Sequence, residues 1–206
     1  MVADDGVLQG EARVVEGLAA LRALIASDHR RMDVLRAVRD LGLPDCWVAA
    51  GFVRNCVWDH VHGHAAAPLS GDIDVVWFDA EQCEAARDAA LERALRSRDG
   101  SVDWSVKNQA RMHVRNGDLP YASATDAMRY WPETATAVAV RLGAGDAIEV
   151  AAPFGLDDLF GLVVRPTRRF ALEKRAVYLE RIRAKDWLGR WPRLRTEENS
   201  GSAHIF

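Results

Sequence analysis

The sequence predicts a mixed α/β or α+β domain, and three observations carry that prediction. Apolar residues recur at helical spacing through the first forty residues, short apolar runs bounded by Gly or Pro follow, and two strand-like runs flank GAGD as an antiparallel hairpin would. Helices interspersed with strands, at least one pair antiparallel, argue against an all-parallel doubly wound sheet. A chain of 206 residues is long enough to bury a substantial core.

The elements follow in order. Leu18, Leu21, Leu24 and Ile25 mark one amphipathic helix and Met32, Leu35, Val38 and Leu41 a second, which Gly42 and Pro44 stop. Cys46 to Gly51 reads as a buried strand, Phe52 to His62 as a helix, His64 to Gly71 as a loop and Asp72 to Asp79 as a strand. Ala80 to Arg98 is rich in Ala, Glu, Leu and Arg and favours a helix. Val102, Trp104 and Val106 alternate, so the segment from Ser101 opens as a strand, and Ser123 caps a short helix through Arg129 with Asp126 as a weaker capping-box partner. Ala135 to Leu142 and Ala147 to Ala152 form the hairpin. After Pro166 a long helix runs over 168–191 to the Trp191-Pro192 stop, and the tail 196–206 is expected to be mobile. There is no internal repeat. The expected organisation is one domain over 1–195, with a helical N-terminus (14–43), a core (45–167) and the C-terminal helix.

The 27 basic and 30 acidic residues give a net charge of −3, which argues against a strong nucleic-acid binder. The average conceals an asymmetry. Eleven Lys or Arg and three Asp or Glu lie between Arg165 and Arg195, a local +8 that leaves −11 elsewhere. This stretch is either a solvated helix face or a basic arm for a phosphate-bearing partner. No apolar run reaches the roughly 18 residues that span a bilayer, and the N-terminus is acidic where a signal peptide is basic, so a cytoplasmic protein is expected. Cys46, Cys56 and Cys83 show no CxxC spacing and read as small buried hydrophobes.

The chemistry centres on Asp72-Ile73-Asp74. Residues two apart in a strand share a face, so both carboxylates project together. Such a pair suits either an exposed strand entry or a hard cation such as Mg²⁺ between the oxygens. The preceding stretch, WVAAGFVRN, runs an apolar strand into Gly51 and then a helix bearing Arg54. A glycine at such a junction lets backbone amides approach a phosphate at the positive end of the helix, and Arg54 could add a bidentate contact. Lys107, Asn108, Gln109, Arg111 and His113 form a polar block, either donors for phosphate, ribose or base or a surface strand of mixed polarity. His60, His62 and His64 do not share a helix face, and a solvated helix end is their expected role rather than a zinc site. Trp187 and Trp191 are expected to pack the last helix onto the body.

GFVRN followed by DIDVVWFD resembles the nucleotidyltransferase superfamily of DNA polymerase beta and the tRNA CCA-adding enzymes. AGFVRNCVWD, DIDVVWFD, WSVKNQARMH, YWPETATAVAVRL and APFGLDDLFGLVVRPT are similar to a bacterial nucleotidyltransferase-like family within it, over about Cys46 to Thr167. The resemblance implies a short mixed sheet flanked by helices, with two acids on one strand and often a third on its neighbour. It implies a metal-binding pair in Asp72 and Asp74 and a nucleotide cradle at Gly51, Phe52, Arg54 and Asn55, where Phe52 stands at a position usually held by a second small residue. Asp103 is the candidate third carboxylate, or else the last residue of a turn. The implied activity is Mg²⁺- or Mn²⁺-dependent transfer of a nucleoside monophosphate from an NTP to an acceptor hydroxyl on a small molecule, protein or RNA. A nucleotide-binding module without turnover, and an RNA-interacting protein using the basic C-terminal helix, are the alternatives.

Overall fold

The computed structural model describes residues 5–64 and 69–197. Two helices open the chain, α1 (Asp5–Ser27) and α2 (His29–Arg39), the second capped by the Asp28 carboxylate, which accepts from the Arg31 N–H. Then come β1 (Trp47–Ala49), α3 (Gly51–Val61), β2 (Ile73–Trp77), α4 (Ala85–Arg98) and β3 (Trp104–Asn108). The polar block that follows β3 is helical, as α5 (Gln109–Asn116). Next are α6 (Ala124–Met128), β4 (Ala139–Leu142), β5 (Ile148–Ala151), α7 (Asp157–Phe160) and β6 (Val163–Val164). Ser123 accepts from the Asp126 N–H as expected, while the Asp126 carboxylate reaches back to the Ala122 N–H at 3.0 Å.

The single helix expected over 168–191 is three: α8 (Arg168–Leu172), α9 (Arg175–Lys185) and α10 (Trp187–Arg190). Asp186 separates the last two in a left-handed conformation, φ 46°, which Asp tolerates better than most side chains. That reversal turns Trp187 and Trp191 onto Trp58 of α3, with ring centroids 5.6 and 5.1 Å away and edge-on. The expected packing role of the two tryptophans is therefore met. Thr196 is not part of a structureless tail: Arg195–Thr196 forms β7, parallel to β6. Residues 198–206, and 65–68 of the expected loop, lie outside the described residues.

The five-stranded sheet has the order β3-β2-β1-β4-β5, with β2 and β3 parallel and the other pairs antiparallel. Alternation divides its faces. Val48, Ile73, Val75, Trp77, Trp104, Val106 and Val140 enter the main core with the apolar sides of the flanking helices. Trp47, Ala49, Val76, Ala139 and Ala151 pack on the opposite face against Ala124 and Met128 of α6. Asp74 stands opposite Ala49 in the ladder and belongs to this second, small-residue face. Cys46 and Cys56 are half-buried, with burial pushing the Cys46 thiol to about 12, whereas Cys83 is exposed, contrary to expectation.

Candidate active site

The antiparallel pairing of β1 and β2 brings the end of one strand beside the start of the other. The start of α3, Asp72 and Asp74 therefore share one cleft, of about 290 Å³, whose wall also includes Asn55, Ser70, Arg181, Lys185, Trp187 and Arg190. Of the expected site residues, Gly51, Arg54, Asn55, Asp72 and Asp74 are brought together here. Arg181, Lys185 and Arg190 join the site without a local motif of their own; their signal in the sequence is the excess of positive charge after Arg165.

Backbone geometry at the junction is unusual. Ala50 caps α3 at φ 53°, ψ −118°, a conformation that strains any residue with a Cβ, and its N–H donates to Val138 O at 2.9 Å. The strain falls beside the free amides of the α3 N-terminus, where an anion is favoured. Phe52 does not enter the cleft: its ring is buried in the main core, so the small residues at the junction are Ala50 and Gly51.

The Asp72 and Asp74 carboxylates make no hydrogen bond or ion pair among the described residues. Burial, with Asp72 next, pushes the Asp74 carboxyl up to about 6, while Arg54, Arg181 and Lys185 oppose the rise. Two unsatisfied carboxylates on one strand face, one of them largely desolvated, fit a hard divalent cation. Among the described residues no third His, Cys, Asp or Glu joins them in a metal-sized cluster. Two carboxylates suffice for Mg²⁺, which commonly draws its remaining oxygens from substrate phosphates and water.

Asp103 is not gathered into the cleft. Its carbonyl accepts from the Ile73 N–H at 2.7 Å, but its side chain is 74% exposed and lies 3.8 Å from Arg96 of α4. Asp103 immediately precedes Trp104, the first residue of β3.

Arg54 lines the cleft but is held by the protein. Its guanidinium lies 4.5 Å from the Trp187 ring and 5.0 Å from Trp58, and donates to Thr136 Oγ1 and Asn55 Oδ1, both at 3.0 Å. Burial lowers its pKa to about 10 despite the nearby Glu133 carboxylate. The residue braces α3 against the C-terminal segment, and its Nε–H has no partner among the described residues.

Lys107, Asn108, Gln109, Arg111 and His113 do not line the cleft. Asn108 pairs with Trp77, three ladder steps beyond Asp74. Each member has a partner there: Lys107 bonds Glu92 at 2.6 Å, Arg111 pairs with Asp88, and the Asn108 amide holds the carbonyls of Asp79 and Gln82, both at 2.8 Å. Gln109 donates to Lys107 O at 3.1 Å, and His113 Nδ1 approaches Ala110 O at 2.8 Å. The block joins β3, α4 and α5. His62 likewise has a local role, accepting from the Arg193 N–H at 3.1 Å.

A nucleotidyltransferase family model matches residues 36–196, most of the chain. A solved structure described as revealing a CCA-adding enzyme head domain is 33% identical, with a TM-score of 0.78, covering 87% of this chain and 95% of that one. The Thermotoga maritima CCA-adding enzyme complexed with tRNA is 18% identical, with a TM-score of 0.55 and coverage of 86% and 42%. A CCA-adding enzyme complexed with CTP is 17% identical, with a TM-score of 0.53 and coverage of 90% and 43%. The latter two show the shared fold, and the chain spans about two fifths of their length. No curated protein matches the chain significantly. Among the described residues no helix is long and apolar enough to cross a membrane.

Proposed function

From the premise that the chain belongs to this nucleotidyltransferase family, we propose that the cleft transfers a nucleoside monophosphate from an NTP to an acceptor hydroxyl. The observation that carries this reading is the meeting of Asp72 and Asp74 with the N-terminus of α3 in one cleft. Asp72 and Asp74 would hold Mg²⁺ or Mn²⁺, which supplies Lewis-acid stabilisation of charge on phosphoryl oxygens when bound. The amides that open α3 orient the phosphate chain, with no side chain at Gly51 to obstruct its approach. Arg54 keeps α3 fixed against the C-terminal segment, and the β1–β2 ladder sets the separation of these amides from the carboxylates.

One observation favours a nucleotide-binding module without turnover: Asp103 stands outside the cleft and no other acid replaces it among the described residues. The same experiment tests both. Incubating the protein with each NTP and Mg²⁺ across small-molecule, protein and RNA acceptors should release pyrophosphate in at least one combination. NTP-dependent thermal stabilisation without pyrophosphate in any combination would support the module instead.

A further inference from the structure

The basic stretch after Arg165 is sorted by face. On α9, Tyr178 and Ile182 are buried, while Arg181 and Lys185, also four apart, lie together on the flank bordering the cleft. Beyond the left-handed Asp186, Arg190 reaches the same wall. With Arg54, four cationic side chains line the cleft against two anionic ones, Asp72 and Asp74.

Two of these cations are anchored from behind by acids of the body. Arg181 Nε donates to Glu133 at 2.7 Å, and Glu133 is 0% exposed. Arg190 bonds Asp59 at 3.1 Å and Ser70 Oγ at 2.6 Å, and Asp59 also accepts from Trp191 Nε1 at 2.8 Å. Burying a carboxylate is costly, and among the described residues Glu133 still leaves Oε2 without a partner. A buried ion pair is weak grounds for stability, but it fixes an arginine's long side chain before a ligand arrives and so reduces the entropy lost on binding. Lys185 is exposed and has no hydrogen bond or ion pair among the described residues.

We propose that Arg181, Lys185 and Arg190 form a site for a linear chain of phosphates, with Glu133 and Asp59 as positioning residues that hold the two arginines toward it. The proposal rests on the nucleotidyl-transfer reading only for the carrier of the phosphates, since an NTP and a free polyphosphate present the same chemistry. It also gives three of the eleven basic residues between Arg165 and Arg195 a shared role in the cleft.

The test is calorimetric titration of inorganic tripolyphosphate, and in parallel of an NTP, into the full chain at fixed salt. Arg183 is the internal control: an exposed cation two residues from Lys185 that does not line the cleft. Lys185→Ala should lower tripolyphosphate affinity about tenfold, the usual scale for a charged contact, while Arg183→Ala stays within twofold of the parent. Equal losses would mean a diffuse basic surface and overturn the site, as would no loss in Lys185→Ala or no binding by the parent. Binding of the NTP with the same dependence on Lys185 assigns the phosphates to a nucleotide; binding of tripolyphosphate alone assigns them to a free polyphosphate. For positioning, Glu133→Gln and Arg181→Ala should each weaken binding, and their double variant should lose no more than Arg181→Ala alone. Fully additive losses would remove the positioning role of Glu133. Lys185-dependent tripolyphosphate binding without pyrophosphate release from any NTP would leave this site standing and defeat nucleotidyl transfer. Pyrophosphate release indifferent to Lys185 would do the reverse.

Discussion

Asp74 of β2 lies in register opposite Ala49 of β1, two residues before Gly51 opens α3. One antiparallel ladder step thus fixes the relation between the acidic pair and the helix N-terminus, two features more than twenty residues apart in the chain.

The first prediction concerns acidity. In metal-free protein the folded-state pKa of Asp74 is raised from 3.8 to about 6, so its ionisation opposes folding. The cost is absent below the unfolded value and grows as pH rises toward 6, reaching about 3 kcal/mol above it. Asp74→Asn should therefore melt higher than the parent at pH 7.5 in chelator and equal to it near pH 3.5. A difference independent of pH would contradict the burial of this charge.

Arg54 is expected to act through stability. Arg54→Ala removes the stack with Trp58 and Trp187 and the bond to Thr136, and leaves Glu133 short of a neighbouring cation. A loss of about 2–4 kcal/mol in denaturant unfolding is predicted. Unchanged stability together with weakened NTP binding would instead restore a direct phosphate contact.

Ala50 carries strain that glycine would relieve. At φ 53°, ψ −118°, Ala50→Gly should stabilise the fold by about 1 kcal/mol, read as a rise in melting temperature. Ala50→Val should lower it, since a β-branched side chain is costlier still in this region. A drop in both variants would refute the strain.

Asp103→Ala should leave pyrophosphate release within a few-fold of the parent and stability within about 0.5 kcal/mol, because among the described residues the exposed carboxylate pairs with Arg96 alone, at 3.8 Å. A hundredfold fall in turnover would return Asp103 to the catalytic set.

The sequence was most informative where spacing and local chemistry agree. Alternation put Asp72 and Asp74 on one face, the Ser123 cap and the hairpin followed from turn chemistry, and the Gly51 junction located the start of α3. It was least informative where position depends on the far chain. Lys107 to His113 looked like ligand donors because their acidic partners, Asp88 and Glu92, sit on α4 some twenty residues earlier. Arg54 looked free for a phosphate because nothing local reveals the Trp187 ring above it. The cations of the cleft were visible only as net charge, since the left-handed Asp186 that turns Arg190 inward replaces what propensity reads as continuous helix.

The central claim is that Asp72 and Asp74 serve nucleotidyl transfer, and pyrophosphate release by the parent and Asp74→Asn, measured side by side with and without Mg²⁺, tests it most directly. The account predicts release that needs Mg²⁺ in the parent and falls at least a hundredfold in a folded Asp74→Asn protein, a loss of about 2.7 kcal/mol in transition-state stabilisation. Release from Asp74→Asn at the parent rate, or release indifferent to Mg²⁺, would contradict it.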